Sequence, residues 1–353
     1  MKINIDFDSY LELEKIGIGA FKPLEGFMNE KDFYSVAENM RLVNGKLFPI
    51  PILLPIPKKI DPEQILHKKK ILLIYENNTV GEIYPESIFS INFKRFIKML
   101  FGTNDDKHPG YNMLHKSGNF FLGGKVKLLK QIKYKNSEFS ISPKELKLFI
   151  KRNKYKTIAG FQTRNVPHKA HEYILTSALK DVDSLFIQPL IGKKKEGDFL
   201  PECVLKSYKY LIDYIFPKKQ VILGTLTTSM RYSGPREAVF HAIIRRNYGC
   251  THFLVGRDHA GVGSYYGEYD AQNLCVKFEK EIGIKIIKVR GPFYCKSCKK
   301  ITNDKNCTCK LSEKIEVSGT KIRNALLNNK KISEKFMRKE ILDLIRKEDI
   351  FIK

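Results

Sequence analysis

Tryptophan is absent from the 353 residues and arginine is scarce: only 13 of the 63 basic residues are Arg. No apolar run approaches the ~20 residues needed to cross a bilayer, which excludes a helical membrane span. The opening MKINIDFDSY has no apolar core behind a basic head, so no secretory leader is expected. Cysteine is thin over most of the chain. Four of the seven crowd into residues 295–309, which suits a metal site better than a disulfide framework. These absences together point to the cytoplasm. The length argues for two or three domains, and 42% hydrophobic with 29% charged residues is ordinary for a globular chain.

The formal net charge of +25 invites a nucleic-acid reading. Lys, however, is spread along the whole length beside many Ile and Asn, as an AT-rich genome writes onto any protein. A solvated Lys-rich surface accounts for it. One stretch breaks the pattern. From Gln220 to Val276 there is no Lys, where an even spread would put about eight, yet Arg231, Arg236, Arg245, Arg246 and Arg257 all fall there. A planar fork that grips oxyanions with two donors cannot be replaced by a point charge. Burial would also exclude Lys, and the two explanations are compatible.

Residues 1–153 alternate short apolar stretches with turn signals, as in 47–56, 68–85 and 119–129, and read as a β-rich domain with a helix near 92–101. From 154 to 311 strand-like runs at 156–162, 183–192, 220–226, 251–258 and 285–291 alternate with helical ones at 168–180, 204–216, 234–249 and 270–283. That rhythm predicts βαβ units and an α/β fold with about five parallel strands. Ligands bind beyond the carboxyl ends of such strands. Residues 312–353 read as a small helical lobe.

Three segments carry chemistry. In FQTRNVPHKAH (161–171) a strand passes into a helix, with Asn165 able to cap and Pro167 suited to the first turn. His168 and His171, three apart, share a helix face at an end that attracts anions. A core or capping pair is the competing reading. In VGRDHAGVG (255–263), Arg257 and His259 sit on a Gly-flanked turn whose backbone can approach a phosphate, though a purely structural turn is the alternative. VSGTKIR (317–323) sets Ser318, Gly319 and Thr320 before a helix with Lys321 and Arg323 on its first turn. That suits a triphosphate, or an ordinary capped helix. Finally, Cys295, Cys298, Cys307 and Cys309 have spacing for a structural Zn²⁺, with redox-active or idle thiols as the alternative.

Nearly the whole chain resembles the sulfate adenylyltransferase (ATP sulfurylase) family. GAFKPLEGFM (19–28) and NGKLFPIPI (44–52) look like its PUA-like first domain. QTRN with HxAH (162–171), MRYSGPREA (230–238), residues 241–263 and YDAQ (269–272) look like its catalytic core, and SGTKIR is similar to the second phosphate-binding element of the HxGH nucleotidyltransferases. The resemblance implies a Rossmann-like HxGH domain after the PUA-like one, and the reaction of ATP with sulfate to give adenosine 5′-phosphosulfate and pyrophosphate. It implies that Gln162, Arg164, Arg257 and the backbone of Ala260 hold sulfate. Thr163, Arg164 and Asn165 would form the active-site loop with His168 and His171 on the ATP phosphates, and Gly256, Arg257, Asp258 and His259 would line the nucleotide beside Gln162. Mg²⁺ would arrive with ATP, and a homodimer is expected. Two departures stand out. Val166 intervenes where the family often has Asn-Pro-x-His, and Cys309 stands where zinc-bearing members usually place a His. The chain stops after the helical tail, so no fused adenylylsulfate-kinase domain is expected.

Sulfate is fully ionised at neutral pH and needs no general base, so attack on the α-phosphorus asks only that two anions be held together. Arg, His and backbone amides, without a nucleophilic Ser or Cys, fit that task. Two rivals remain: an adenylyltransferase of the same fold with another acceptor, and an RNA-binding PUA-like zinc protein. Aromatic residues are not interleaved with the basic runs as stacking platforms require, so no specific nucleic-acid partner is expected.

Overall fold

The computed structural model describes residues 1–346 and 349–352. Its first sheet runs in the order Lys2–Asn4, Ile71–Tyr75, Asn78–Ser90, Phe120–Leu128, Gly26–Phe27. Only the pair joining Lys2–Asn4 to Ile71–Tyr75 is parallel. The hairpin at 71–90 turns on Glu76 (φ 45°) and Asn77 (φ 60°), the two left-handed residues that a type I′ turn needs.

The expected apolar stretch at 47–56 is not a strand. Its prolines remove ladder donors, so it packs as an irregular segment that buries Leu47, Phe48, Ile50, Ile52 and Leu54. It still touches the sheet: Met28 N donates to Ile52 O (2.9 Å) and Leu122 N to Leu54 O (2.9 Å). The helix expected near 92–101 is there as Phe93–Phe101. This part is more helical than the sequence reading, with Phe7–Gly17, Glu30–Asn39, Glu63–Leu66 and Pro109–His115 in addition. Side-chain caps start three of these: Asp6 accepts from Ser9 N (2.8 Å), Asn29 from Asp32 N (2.9 Å) and His108 Nδ1 from Gly110 N (3.2 Å).

The second sheet is all parallel, in the order Lys285–Lys288, His252–Val255, Ile158–Thr163, Ser184–Pro189, Val221–Leu223. Five strands alternate with the helices Lys169–Ala178, Pro201–Tyr214, Pro235–Tyr248 and Asp270–Lys277, as the sequence predicts. The chain winds outward from Ile158–Thr163 on one side, then returns to place His252–Val255 on the other. Those two neighbours define the switch point where such sheets open a crevice.

Pro235–Tyr248 is buried on nearly every side, Arg236, Glu237, His241 and Arg245 included. It lies between the parallel sheet and the N-terminal part. Arg236 donates to Val36 O (2.7 Å), Ala37 O (3.0 Å) and Met99 O (2.9 Å), and Asn247 to Ala20 O (3.0 Å) and Lys22 O (2.7 Å). Burial therefore explains much of the Lys-free window. Beyond the sheet a small antiparallel one, Lys300–Thr302, Phe293–Cys295, Lys314–Glu316, carries the cysteines. The tail forms the helices Gly319–Leu327 and Lys339–Ile345; of the expected helical run from 333, the first residues are turns and 347–348 lie outside the described residues. Among the described residues no helix is long and apolar enough to cross a membrane.

Candidate active site

A cleft of about 510 Å³ opens at the switch point. Its walls come from 161–171, 254–260 and 316–323, with Met230 closing one side. All eleven residues expected to hold sulfate or nucleotide line it: Gln162, Thr163, Arg164, Asn165, His168, His171, Gly256, Arg257, Asp258, His259 and Ala260. A larger hollow of about 1020 Å³ adjoins across Arg257, Gly291 and Glu316, but the donors converge in the smaller one.

The paired histidines both cap and face the cleft. His168, not Asn165, is the N-cap of Lys169–Ala178, because its ring can supply the acceptor the first turn lacks. His168 Nδ1 accepts from His171 N (3.3 Å) and His171 Nδ1 accepts from His168 N (3.4 Å), with the rings stacked 3.8 Å apart. Burial holds His168 well below the ordinary imidazole range, helped by its neighbour, and pushes His171 down to about 4. Both rings are neutral at pH 7. With each Nδ1 accepting, the proton sits on Nε2, and two N–H donors remain beside the helix N-terminus. Asn165 instead offers Oδ1 to Arg323 Nη2 (2.6 Å), while Thr163 Oγ1 accepts from Asn165 N (3.1 Å) and braces the loop.

Arg164 lies 5.3 Å over the Tyr232 ring and donates through Nη2 to Gly261 O (3.3 Å); its buried Nη1 has no partner among the described residues. Beneath it is a charged floor. Asp198, fully buried, sits 3.0 Å from Arg323 Nη1 and accepts from Tyr232 OH (3.4 Å). Lys194 donates to Phe199 O (2.6 Å); burial pushes its ammonium down to about 8, with Asp198 opposing. The sequence reading named Arg323 but missed Asp198, Lys194 and Tyr232.

On the opposite wall, Asp258 (φ 45°) and Ala260 (φ 58°) adopt left-handed backbone. Such conformations cost non-glycine residues about 1–3 kcal/mol each and concentrate at functional sites. The Asp258 N–H is taken by Glu268 O (2.9 Å). A side chain at Gly256 would meet nothing within 4 Å, since it would project into the cleft. His259 turns its ring inward, Nε2 lying 3.1 Å from His241 Nδ1. The Arg257 fork is shared between Glu268 (2.8 Å) and Glu316 (2.9 Å). It packs so closely on Gly291 that a Cβ there would fall 2.2 Å from Nε. Arg257 is thus in the wall with its donors engaged, whereas Arg164 retains a free one. Lys321 turns away to Glu316 (2.6 Å).

The four cysteines converge as expected. Their sulfurs all lie within 4.8 Å of one another, with Cys298 at 3.8 Å from Cys307 and 3.7 Å from Cys309. A tetrahedral site with Zn–S bonds of about 2.3 Å has S–S edges of about 3.8 Å. The spacing fits that ion and is far beyond a disulfide bond. The cluster's last strand, Lys314–Glu316, runs directly into Ser318–Gly319 at the cleft.

Comparison with known proteins agrees with this arrangement. The family model for ATP-sulfurylase matches residues 137–348 and that for a PUA-like domain matches residues 1–131. A sulfate adenylyltransferase from Pyrococcus abyssi is 39% identical over 348 residues, covering 99% of this chain and 90% of its own. One from Hyperthermus butylicus is 40% identical over 339 residues, covering 95% of this chain and 86% of its own. Among solved structures, a hexameric APS kinase from Thiobacillus denitrificans aligns with a TM-score of 0.74 at 20% identity. This chain covers 62% of that protein, and the likeness is one of fold. Domain order, parallel sheet and near full-length identity lead to one assignment: the chain belongs to the ATP-sulfurylase family.

Proposed function

We propose that the cleft joins ATP and sulfate directly, giving adenosine 5′-phosphosulfate and pyrophosphate in a reversible reaction. The observation that carries this reading is the meeting of donors from two adjacent strand ends in one cleft. One sulfate oxygen forms the new bond to the α-phosphorus as the bond to the β-phosphate bridge oxygen breaks, and that electron pair leaves with pyrophosphate. No proton moves. Gln162, Arg164 and the Ala260 backbone N–H hold sulfate, while the Nε2–H groups of His168 and His171, at a helix N-terminus, hold the phosphates as charge shifts onto the leaving group. Arg257 shapes the wall with Asp258 and joins the anions when its carboxylate partners yield. Mg²⁺ comes with ATP as part of the substrate.

Cys295, Cys298, Cys307 and Cys309 hold a structural Zn²⁺ that stiffens the turn leading to Ser318. We read the protein as a cytoplasmic homodimer, with light scattering as the check on its assembly. Residues 1–153, 154–311 and 312–353 serve as its β-rich, catalytic and C-terminal units.

Direct attack is tested by exchange of labelled pyrophosphate into ATP. Exchange should need sulfate; exchange in its absence would reveal a covalent adenylyl-enzyme and contradict the mechanism.

A further inference from the structure

Gln162 is the penultimate residue of the strand Ile158–Thr163 and lines the cleft, and its Oε1 accepts from Arg245 Nη2 at 2.5 Å. An amide alone can turn either way. A guanidinium carries only donors, so this partner fixes the oxygen toward Arg245 and leaves Nε2, with both hydrogens, for the cleft. Arg245 has no room to swing aside. It is fully buried, donates also to Gln188 O (3.1 Å), and lies 5.5 Å over the Phe253 ring. Its stem passes Gly160 so closely that a Cβ there would fall 2.4 Å from Arg245 Cγ.

Two neighbouring acceptors are consumed in the same way: Asn165 Oδ1 is taken by Arg323 (2.6 Å), and the Thr163 hydroxyl accepts from Asn165 N (3.1 Å). Around the Gln162 amide the pocket therefore offers donors, while the Asp258 carboxylate lies toward Arg164. Burying a lone guanidinium is expensive, and Arg245 Nε and Nη1 have no partner among the described residues. Orienting one amide gives that burial a purpose.

We propose that Arg245 is a positioning residue that sets acceptor specificity: by holding Gln162 in one orientation it selects a tetrahedral oxyanion bearing no proton and rejects one that keeps an O–H. The proposal rests on Gln162 and Arg164 being the acceptor subsite. An O–H brought there meets donors, and one such mismatch weakens binding by at least about tenfold.

The experiment uses two phosphorus dianions as competitors of sulfate at mildly alkaline pH, with formation of adenosine 5′-phosphosulfate as the readout. Monofluorophosphate carries no proton and hydrogen phosphate carries one. In the wild type the first should compete at least about tenfold better. Arg245→Met frees the amide to turn, so the gap should shrink to about threefold or less, while KM for ATP changes less than KM for sulfate. If that buried change does not fold, Gln162→Glu keeps Arg245 and puts an acceptor oxygen in the pocket. Hydrogen phosphate should then compete as well as fluorophosphate. Equal competition in the wild type, or a gap that survives in either folded variant, overturns the proposal. A wild type without sulfate turnover would instead remove the subsite assignment beneath it.

Discussion

Arg164 and Arg257 occupy matching strand ends but keep different company. Arg164 has an unclaimed donor over an aromatic floor, and Arg257 spans two carboxylates. Arg164→Lys should therefore lower kcat by about 10² to 10³ in a folded protein, and Arg257→Lys should cost clearly less; steady-state kinetics on both variants compares them. The histidines cap their helix and also line the cleft, so the two readings that the sequence set as alternatives do not exclude each other. His168→Ala should lower both melting temperature and turnover, the first through the lost cap, by about 1 kcal/mol. His171, held near 4 against an ordinary 6.5, also gives a pH signature. A depressed imidazole favours the fold above the unfolded value and loses that advantage as pH falls through the folded one. Between about pH 6.5 and 4 the melting temperature of His171→Gln should fall less steeply than that of the wild type. The donors in QTRN and HxAH were legible because they lie in one short segment. Asp198 and Lys194 were not, since their charges meaningfully meet only after three distant segments fold together. Arg245 left one trace, its place in a stretch without Lys.

At the scale of elements, the parallel sheet was the most legible part, because strand and helix periods alternate with little interruption from 156 to 291. The N-terminal helices were harder. Their caps, Asp6, Asn29 and His108, are single polar residues among many in a Lys- and Asn-rich chain, and the prolines of 47–56 turned a strand-like run into an irregular buried one. The cysteine-bearing sheet links a metal-sized cluster to the cleft through Lys314–Glu316. Purified protein should contain about one Zn²⁺ per chain. Cys298→Ser should lower the melting temperature while leaving ATP affinity within a few-fold, as metal analysis, calorimetry and nucleotide titration can establish.

Across the whole molecule, the N-terminal and catalytic parts share one apolar core around Pro235–Tyr248, from Ile3 and Phe21 to Ile244 and Phe253. Polar ties reinforce it: Arg236 and Asn247 reach backbone carbonyls of the N-terminal part, and Tyr266 OH, donating to Tyr232 O (2.8 Å), binds the loop after Ala260 to the floor of the cleft. The cleft is thus held by both parts, although its donors come from one. Pyrophosphate release from Mg-ATP by the purified protein, measured with and without sulfate, tests the proposed activity most directly. Release that depends on sulfate is the predicted result; equal release in its absence, or none in its presence, would contradict the central claim.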